Sequence, residues 1–149
     1  MSPNRTEQFQ FLTVRLDQII FAFNIKKVKE LIDPVPITPV PRMPEYMLGA
    51  INLRGEVLPL MDLCLRFGLN QTAQSIDTSI AIVETGQGED TCRLGVRVDA
   101  VDQVLSLDNE LILAPPDMGF NIPKKFIEGV GQVKDEFIII LAIDRLLPE

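Results

Sequence analysis

The sequence contains no histidine, the residue that proteins use most often as a general base and as a metal ligand. It also contains no GxSxG nucleophile elbow, no GxxxxGK[ST] phosphate loop and no HExxH zinc motif. Its serines, at positions 2, 75, 79 and 106, have no base placed in the sequence to activate them. We therefore expect a protein that is not an enzyme and that holds neither a metal nor a cofactor.

Two stretches could still suggest a ligand site. The acidic residues between Gly86 and Asp90 would repel phosphate, so we expect a hairpin turn there. Asp99 and Asp102 could bind a hard cation, but two carboxylates are too few for a calcium loop. We expect Asp99 instead to cap a short helix that follows it, as Asp62 and Asp144 would cap helical turns elsewhere.

Cysteine is scarce as well. Cys64 and Cys92 are the only two, and they form no CxxC pair. Buried, reduced thiols are expected, with a disulfide as the alternative.

Excess positive charge and long apolar runs are also missing. The net charge of −7 opposes nucleic-acid binding. The longest apolar run, Phe137 to Ile143, is too short to span a bilayer, and the polar start MSPNRTEQ lacks a signal-peptide core. We expect a cytoplasmic protein of one compact unit with no direct membrane insertion, and a standalone protein is favoured over a piece of a larger kinase or a receiver-domain fusion.

Two β-hairpins are predicted in the first half of the chain. One joins the runs 9–16 and 19–24 through Asp17-Gln18, and the other joins 49–53 and 56–61 through Arg54-Gly55. Between them, an apolar stripe predicts a short helix that Pro34 ends, on residues Ile25, Val28, Leu31 and Ile32. The proline-rich stretch from 34 to 44 should run extended along an edge, and Asp62 should cap a one-turn helix that ends at Gly68.

The pattern of the first half then repeats. Phe21 and Phe23 correspond to Leu94 and Val96, 73 positions later, and further apolar matches follow at shifts of 80 and then 82. Five short strands per half, without long crossovers, favour closed barrels over a parallel sheet. We predict an all-β chain with short helices, in which two pseudo-symmetric five-stranded β-barrels share a hydrophobic core. The approximate subdomains are 9–70 and 78–149, with possible exchange of terminal segments.

The stretch GAINLRGEVLPLMDL, residues 49–63, resembles the signature of the CheW family. Supporting matches are Phe23 to Ile32, Leu94 to Val101 and Phe126 to Val130, in the family's order. The resemblance implies two SH3-like barrels and a chemotaxis adaptor that couples the histidine kinase CheA to the cytoplasmic tips of methyl-accepting chemoreceptors. The chain departs from the family at Cys64, where arginine is common.

The resemblance also implies site residues. A receptor-binding surface would contain Glu30, Asn52, Arg54 and Gly55, with Glu30 pairing with Arg54. An arginine on a tight turn can grip a carboxylate in two places, although an exposed turn arginine without a role is the alternative. Kinase binding would involve Val28 and Gly49. Gly49 could equally be a strand glycine that allows close backbone approach.

Two other functions stay open at this point. One is a CheW-like adaptor of a non-flagellar chemosensory system that controls surface or twitching motility, which would have paralogous partners. The other is a small-molecule-binding β-barrel or enzyme that uses the space between the halves, although the missing histidine and phosphate motifs argue against it.

Overall fold

A computed structural model describes residues 8–71, 73–86, 88–114 and 122–147. These residues form eleven strands and one α-helical turn, α1, at Leu63–Arg66. The strands are β1 (Gln8–Leu16), β2 (Ile19–Asn24), β3 (Val28–Ile32), β4 (Met47–Leu53), β5 (Glu56–Asp62), β6 (Ser79–Thr85), β7 (Cys92–Val98), β8 (Ala100–Asp108), β9 (Ile112–Leu113), β10 (Ile127–Val133) and β11 (Glu136–Leu141). Short 3-10 turns join several of them, and the predicted all-β class with short helices is confirmed.

The strands form two sheets. Sheet A has the order β8-β1-β2-β11-β10-β9, and sheet B has the order β3-β6-β7-β5-β4. Neighbours are antiparallel except for two parallel pairs, β2 with β11 and β5 with β7. The first hairpin therefore joins strands of the second half, which is an exchange of a terminal segment across the approximate boundary between residues 70 and 78. Pairings among the described residues leave each sheet with two ends, so the predicted closed barrels are not confirmed.

Strand registers bear out the internal repeat and refine it. The pairing of β3 with β6 matches the pairing of β8 with β1. Ile32 on β3 lies opposite Ile80, and Leu105 on β8, which is 73 positions after Ile32, lies opposite Phe11. The shift of 73 from β3 to β8 is therefore correct. Every pairing of β4 with β5 recurs in β10 with β11 at a shift of 80, bulge included, so the predicted shift of 82 was wrong.

Three predicted helical features are also wrong. Val28–Ile32 is a strand with alternating burial, and only Ile25–Lys27 forms a 3-10 turn. Asp99 precedes β8 and accepts the N–H of Asp17 at 2.8 Å, so it supports the first hairpin instead of a helix. Asp144 lies inside a 3-10 turn and accepts the N–H of Gly86.

Other local predictions are confirmed. Both hairpins have the two-residue loops expected, with positive φ at Asp17, Gln18, Arg54 and Gly55. Asp62 caps α1 by accepting the N–H of Leu65. A hairpin also joins β6 to β7, across the stretch that begins at Gly86, and Thr38 of the proline-rich stretch pairs with Ala50 at the edge of sheet B.

The hydrophobic core has three parts. The largest cluster packs one face of sheet A against one face of sheet B, with Phe67 stacked on Phe21 at 5.5 Å between ring centres. A smaller cluster covers the other face of sheet A around Phe11, and another covers the other face of sheet B around Ile51. Both sheets therefore bury two faces, which explains the continuous apolar runs in their central strands.

Both cysteines are free thiols. Cys64 is buried, as expected, whereas Cys92 is exposed at the start of β7, so the prediction of two buried thiols was wrong for Cys92. In the part of the chain that the structure describes, no helix has the length and apolar character that crossing a membrane requires.

Candidate functional site

The tip of the β4–β5 hairpin presents Arg54 to solvent. Arg54 and Gly55 both have positive φ, 52° and 90°, which suits the type of turn that matches the twist of a hairpin. The side-chain oxygen of Asn52 accepts the N–H of Gly55 at 2.9 Å and braces the turn. Asn52 and Gly55 therefore set the conformation from which the Arg54 side chain projects.

Glu30 on β3 accepts two hydrogen bonds from the guanidinium of Arg54, in a bidentate contact. The distances are 2.8 Å from Nη1 to Oε2 and 2.5 Å from Nη2 to Oε1. This fork-to-fork geometry is the strongest form of an arginine–carboxylate pair. The predicted pairing is thus present in the structure, while its part in receptor binding stays a prediction.

The pair also shows that sheet B is strongly coiled. In the sheet order, β6 and β7 lie between β3 and β5, so a flat sheet would put β3 and β5 about 14 Å apart. Glu30 and Arg54 nevertheless touch, which requires the two ends of the sheet to curl toward each other. The contact therefore joins elements from opposite ends of the sheet.

The pKa values of both groups move in the direction of a stable ion pair. The hydrogen bond from Arg54 is the main cause that lowers the pKa of Glu30, and the charges of Arg54 and Arg93 lower it further against the cost of desolvation. The hydrogen bond to Glu30 raises the pKa of Arg54. Both groups thus stay charged at neutral pH.

A charged network that we did not predict from the sequence surrounds the pair. Arg93 on β7 lies 3.4 Å from a Glu56 oxygen and 3.9 Å from a Glu84 oxygen, and Lys29 lies 3.9 Å from the same Glu84 oxygen. Together with Glu30 and Arg54 these residues alternate in sign. The sequence contained charged residues beside apolar ones on these strands, but their proximity depends on the strand order β3-β6-β7-β5, which the sequence did not show.

The two residues predicted for kinase binding have different environments. Val28 is partly buried and packs against the main core cluster. Gly49 is buried, and a Cβ built on it would lie 2.3 Å from the carbonyl oxygen of Thr38. Glycine is therefore required at this position for the Thr38 segment to approach β4, and a partner at this edge would meet that segment first.

The second repeat keeps the frame of this site with other side chains. Lys134 replaces Arg54 at the hairpin tip, and Gln103 replaces Glu30. A cavity of about 390 Å³ lies there, with Arg15 and Glu136 also in its lining. The two halves thus differ in surface chemistry at equivalent positions.

The β4–β5 hairpin and its equivalent, the β10–β11 hairpin, each expose an apolar side chain shortly after the tip. Val57 on β5 is 68% exposed, and its equivalent on β11, Phe137, is 58% exposed. Each of these hairpins therefore offers one exposed apolar side chain close to its tip.

Comparison with known proteins agrees with this architecture. A family model described as a CheW-like domain matches residues 10–149. The chain is 31% identical over 141 residues to the chemotaxis protein CheW of Treponema pallidum, an alignment that covers 94% of this chain and 82% of that protein. It is 28% identical over 145 residues to the protein FrzA of Myxococcus xanthus, covering 96% of this chain and 87% of FrzA.

A solved structure shows the same fold. The crystal structure of the scaffolding protein TtCheW from Thermoanaerobacter tengcongensis matches with a TM-score of 0.86 and 33% identity, over 100% of this chain and 94% of that one. The match extends over both sheets and both repeats. The chain therefore belongs to the CheW family of chemotaxis scaffold proteins.

Proposed function

We propose that this protein couples the histidine kinase CheA to the cytoplasmic tips of methyl-accepting chemoreceptors, as a cytoplasmic scaffold without catalysis of its own. Membership of the CheW family is the observation that carries this proposal. Coupling of this kind is a free energy of interaction between two binding surfaces and needs no chemistry from the scaffold.

Receptor binding is assigned to the surface around Glu30, Asn52, Arg54 and Gly55. The contact between Glu30 and Arg54 fixes the guanidinium in one orientation and so lowers the entropy lost when a partner binds. Exposed Val57 follows Arg54 on the same hairpin and offers apolar area next to the charge. A receptor helix with apolar residues on one face and polar residues at its margin would fit such a surface.

Kinase binding is assigned to the region of Val28 and Gly49. Since Gly49 is covered by the Thr38 segment, we expect it to act indirectly, by setting the path of that segment along β4. The exposed apolar side chains of Ile37 and Val40 would then make the contact. Individual interfaces of this kind are weak and gain strength in arrays through many simultaneous contacts.

Co-sedimentation with purified kinase and a receptor signalling tip tests the proposal. The wild-type protein should bring kinase and receptor tip into one complex, and Arg54→Ala should reduce the receptor share of that complex. Lys134→Ala is the matched control, because Lys134 occupies the equivalent hairpin tip of the second repeat. Failure to form a ternary complex with any cognate kinase and receptor would overturn the proposed function.

A further inference from the structure

Three 3-10 turns, one from the first half of the chain and two from the second, meet around a cavity of about 490 Å³. Ile25–Lys27 follows β2, Lys124–Phe126 precedes β10, and Ile143–Arg145 follows β11. The backbone of the last two is joined where the N–H of Ala142 bonds to the carbonyl of Phe126 at 2.9 Å. The cavity thus has a fixed frame on at least two sides.

The lining of this cavity is unusually basic for this protein. It contains four basic side chains, Lys27, Lys124, Lys125 and Arg145, against two acidic ones, Glu128 and Asp144. The chain as a whole has a net charge of −7. A local excess of positive charge in a concave site attracts anionic groups more strongly than the same charges spread over a flat surface.

The basic residues are not required by the fold, as the repeat shows. At the shift of 80 that relates the β10–β11 hairpin to β4–β5, Lys124 and Lys125 correspond to Pro44 and Glu45. Arg145 corresponds to Leu65. The first repeat keeps the equivalent backbone bond, from the N–H of Asp62 to the carbonyl of Tyr46, but has none of these three cations.

The cavity favours separate carboxylates over a single multiply charged anion. Asp144 is already engaged by Lys27 at 3.4 Å and by the N–H of Gly86 at 3.0 Å, so its negative charge is held at the lining. With Glu128 also present, a compact phosphate would meet both carboxylates, whereas carboxylates spaced along a peptide could approach Lys125 and Arg145 individually.

We propose that this cavity is a docking site for an acidic segment of a partner polypeptide. It shares no residue with the receptor and kinase surfaces proposed above, so it adds a third surface to the scaffold. Its binding should weaken as salt is raised, because the contacts lie at an exposed rim.

Titration calorimetry with a short synthetic glutamate-rich peptide tests this proposal on the full chain. The wild-type protein should bind the peptide at low salt, and the double variant Lys125→Glu, Arg145→Glu should bind it about tenfold more weakly. The matched control, Arg42→Glu with Lys134→Glu, makes the same change in net charge outside the cavity and should keep wild-type affinity. Thermal unfolding of each variant checks that it is folded.

Three outcomes would overturn the proposal. They are no binding of the glutamate-rich peptide by the wild-type protein, equal binding by the cavity variant and the control variant, and equal binding of a lysine-rich peptide. The proposal would also be overturned if inorganic phosphate or phosphatidylserine vesicles bound at these residues and the peptide did not. The ligand of the cavity would then be another anion and not an acidic polypeptide. None of these results depends on whether the chain couples kinase to receptor.

Discussion

Gly49 shows how a single residue can be both a structural requirement and a candidate interface residue. It has φ of 143°, and an added Cβ would lie within 3 Å of two backbone atoms of Thr38. The sequence suggested close backbone approach at this glycine, and the structure identifies Thr38 as the segment that approaches. The hydrogen bonds between Thr38 and Ala50 would be the first to break on substitution.

Gly49→Ala should therefore lower the free energy of unfolding by about 2 kcal/mol or more. Gly55→Ala is the control, since Gly55 also has positive φ but has open space around its Cβ position. It should cost about 1 kcal/mol from backbone strain alone. Urea denaturation measures both, and equal losses would contradict the assigned clash with Thr38.

The two cysteines should differ sharply in reactivity. Burial raises the pKa of the Cys64 thiol to about 12, with the charges of Asp99 and Asp62 adding to the effect. The thiolate that reacts with thiol reagents is therefore almost absent at Cys64, whereas Cys92 is exposed.

A colorimetric thiol reagent at neutral pH should modify one cysteine per folded chain. Cys92→Ser should abolish the reaction, Cys64→Ser should leave it unchanged, and unfolding in urea should release the second thiol. Rapid modification of Cys64 in the folded protein would contradict its burial.

At the scale of elements, the hairpins were predictable and β3 was not. Two-residue loops between alternating runs specify a hairpin locally, so Asp17-Gln18 and Arg54-Gly55 were sufficient. The spacing of Ile25, Val28, Leu31 and Ile32 fits a helix, yet the same residues form a 3-10 turn followed by a bulged strand. The pairing of β3 with β6, which decides between the two, comes from residues about 50 positions away in sequence.

The charged network between strands should affect the titration of Glu30. The pKa of this carboxyl lies below its ordinary value, so its contribution to stability is present above the unfolded-state pKa and is lost as pH falls through the native pKa. Arg54→Ala should raise the pKa of Glu30 most, and Arg93→Ala should raise it by a smaller amount, in the order of their contributions.

NMR titration of the Glu30 carboxyl carbon measures these shifts. Arg93→Lys should restore part of the lowering, because it keeps the charge near Glu56 and Glu84, and Arg15→Ala, on sheet A, should leave the pKa of Glu30 unchanged. An Arg93→Ala protein with the wild-type titration curve would show that the network does not extend to the pair.

At the scale of the whole molecule, each sheet combines strands of both repeats. Sheet A adds β1 and β2 to strands of the second half, and sheet B adds β6 and β7 to strands of the first half. The sequence left an exchange of terminal segments possible but did not show which strands take part, because equivalent strands carry the same apolar pattern and the same register whichever repeat their partners come from. Four pairings cross between the halves: β1 with β8 and β3 with β6, which are antiparallel, and β2 with β11 and β5 with β7, which are parallel.

Neither half should therefore fold alone. Fragments 8–71 and 78–149 should each show little β-sheet circular dichroism. Each fragment lacks strands with which its own strands pair in the intact chain. Mixing the two fragments should restore the signal. An independently folded fragment with a cooperative thermal transition would contradict the exchange of strands.

The proposed receptor surface depends most on one contact, the pair between Glu30 and Arg54. A double-mutant cycle on binding of the receptor signalling tip, using Glu30→Ala, Arg54→Ala and both together, tests it most directly. Each single variant should weaken binding, and the double variant should lose about 1 kcal/mol less than their sum, because each single change already breaks the same contact. Arg54→Lys should also bind weakly, since lysine keeps the charge but not the fork. Strictly additive losses, or single variants that bind as the wild type does, would contradict the assignment of this pair to the receptor surface.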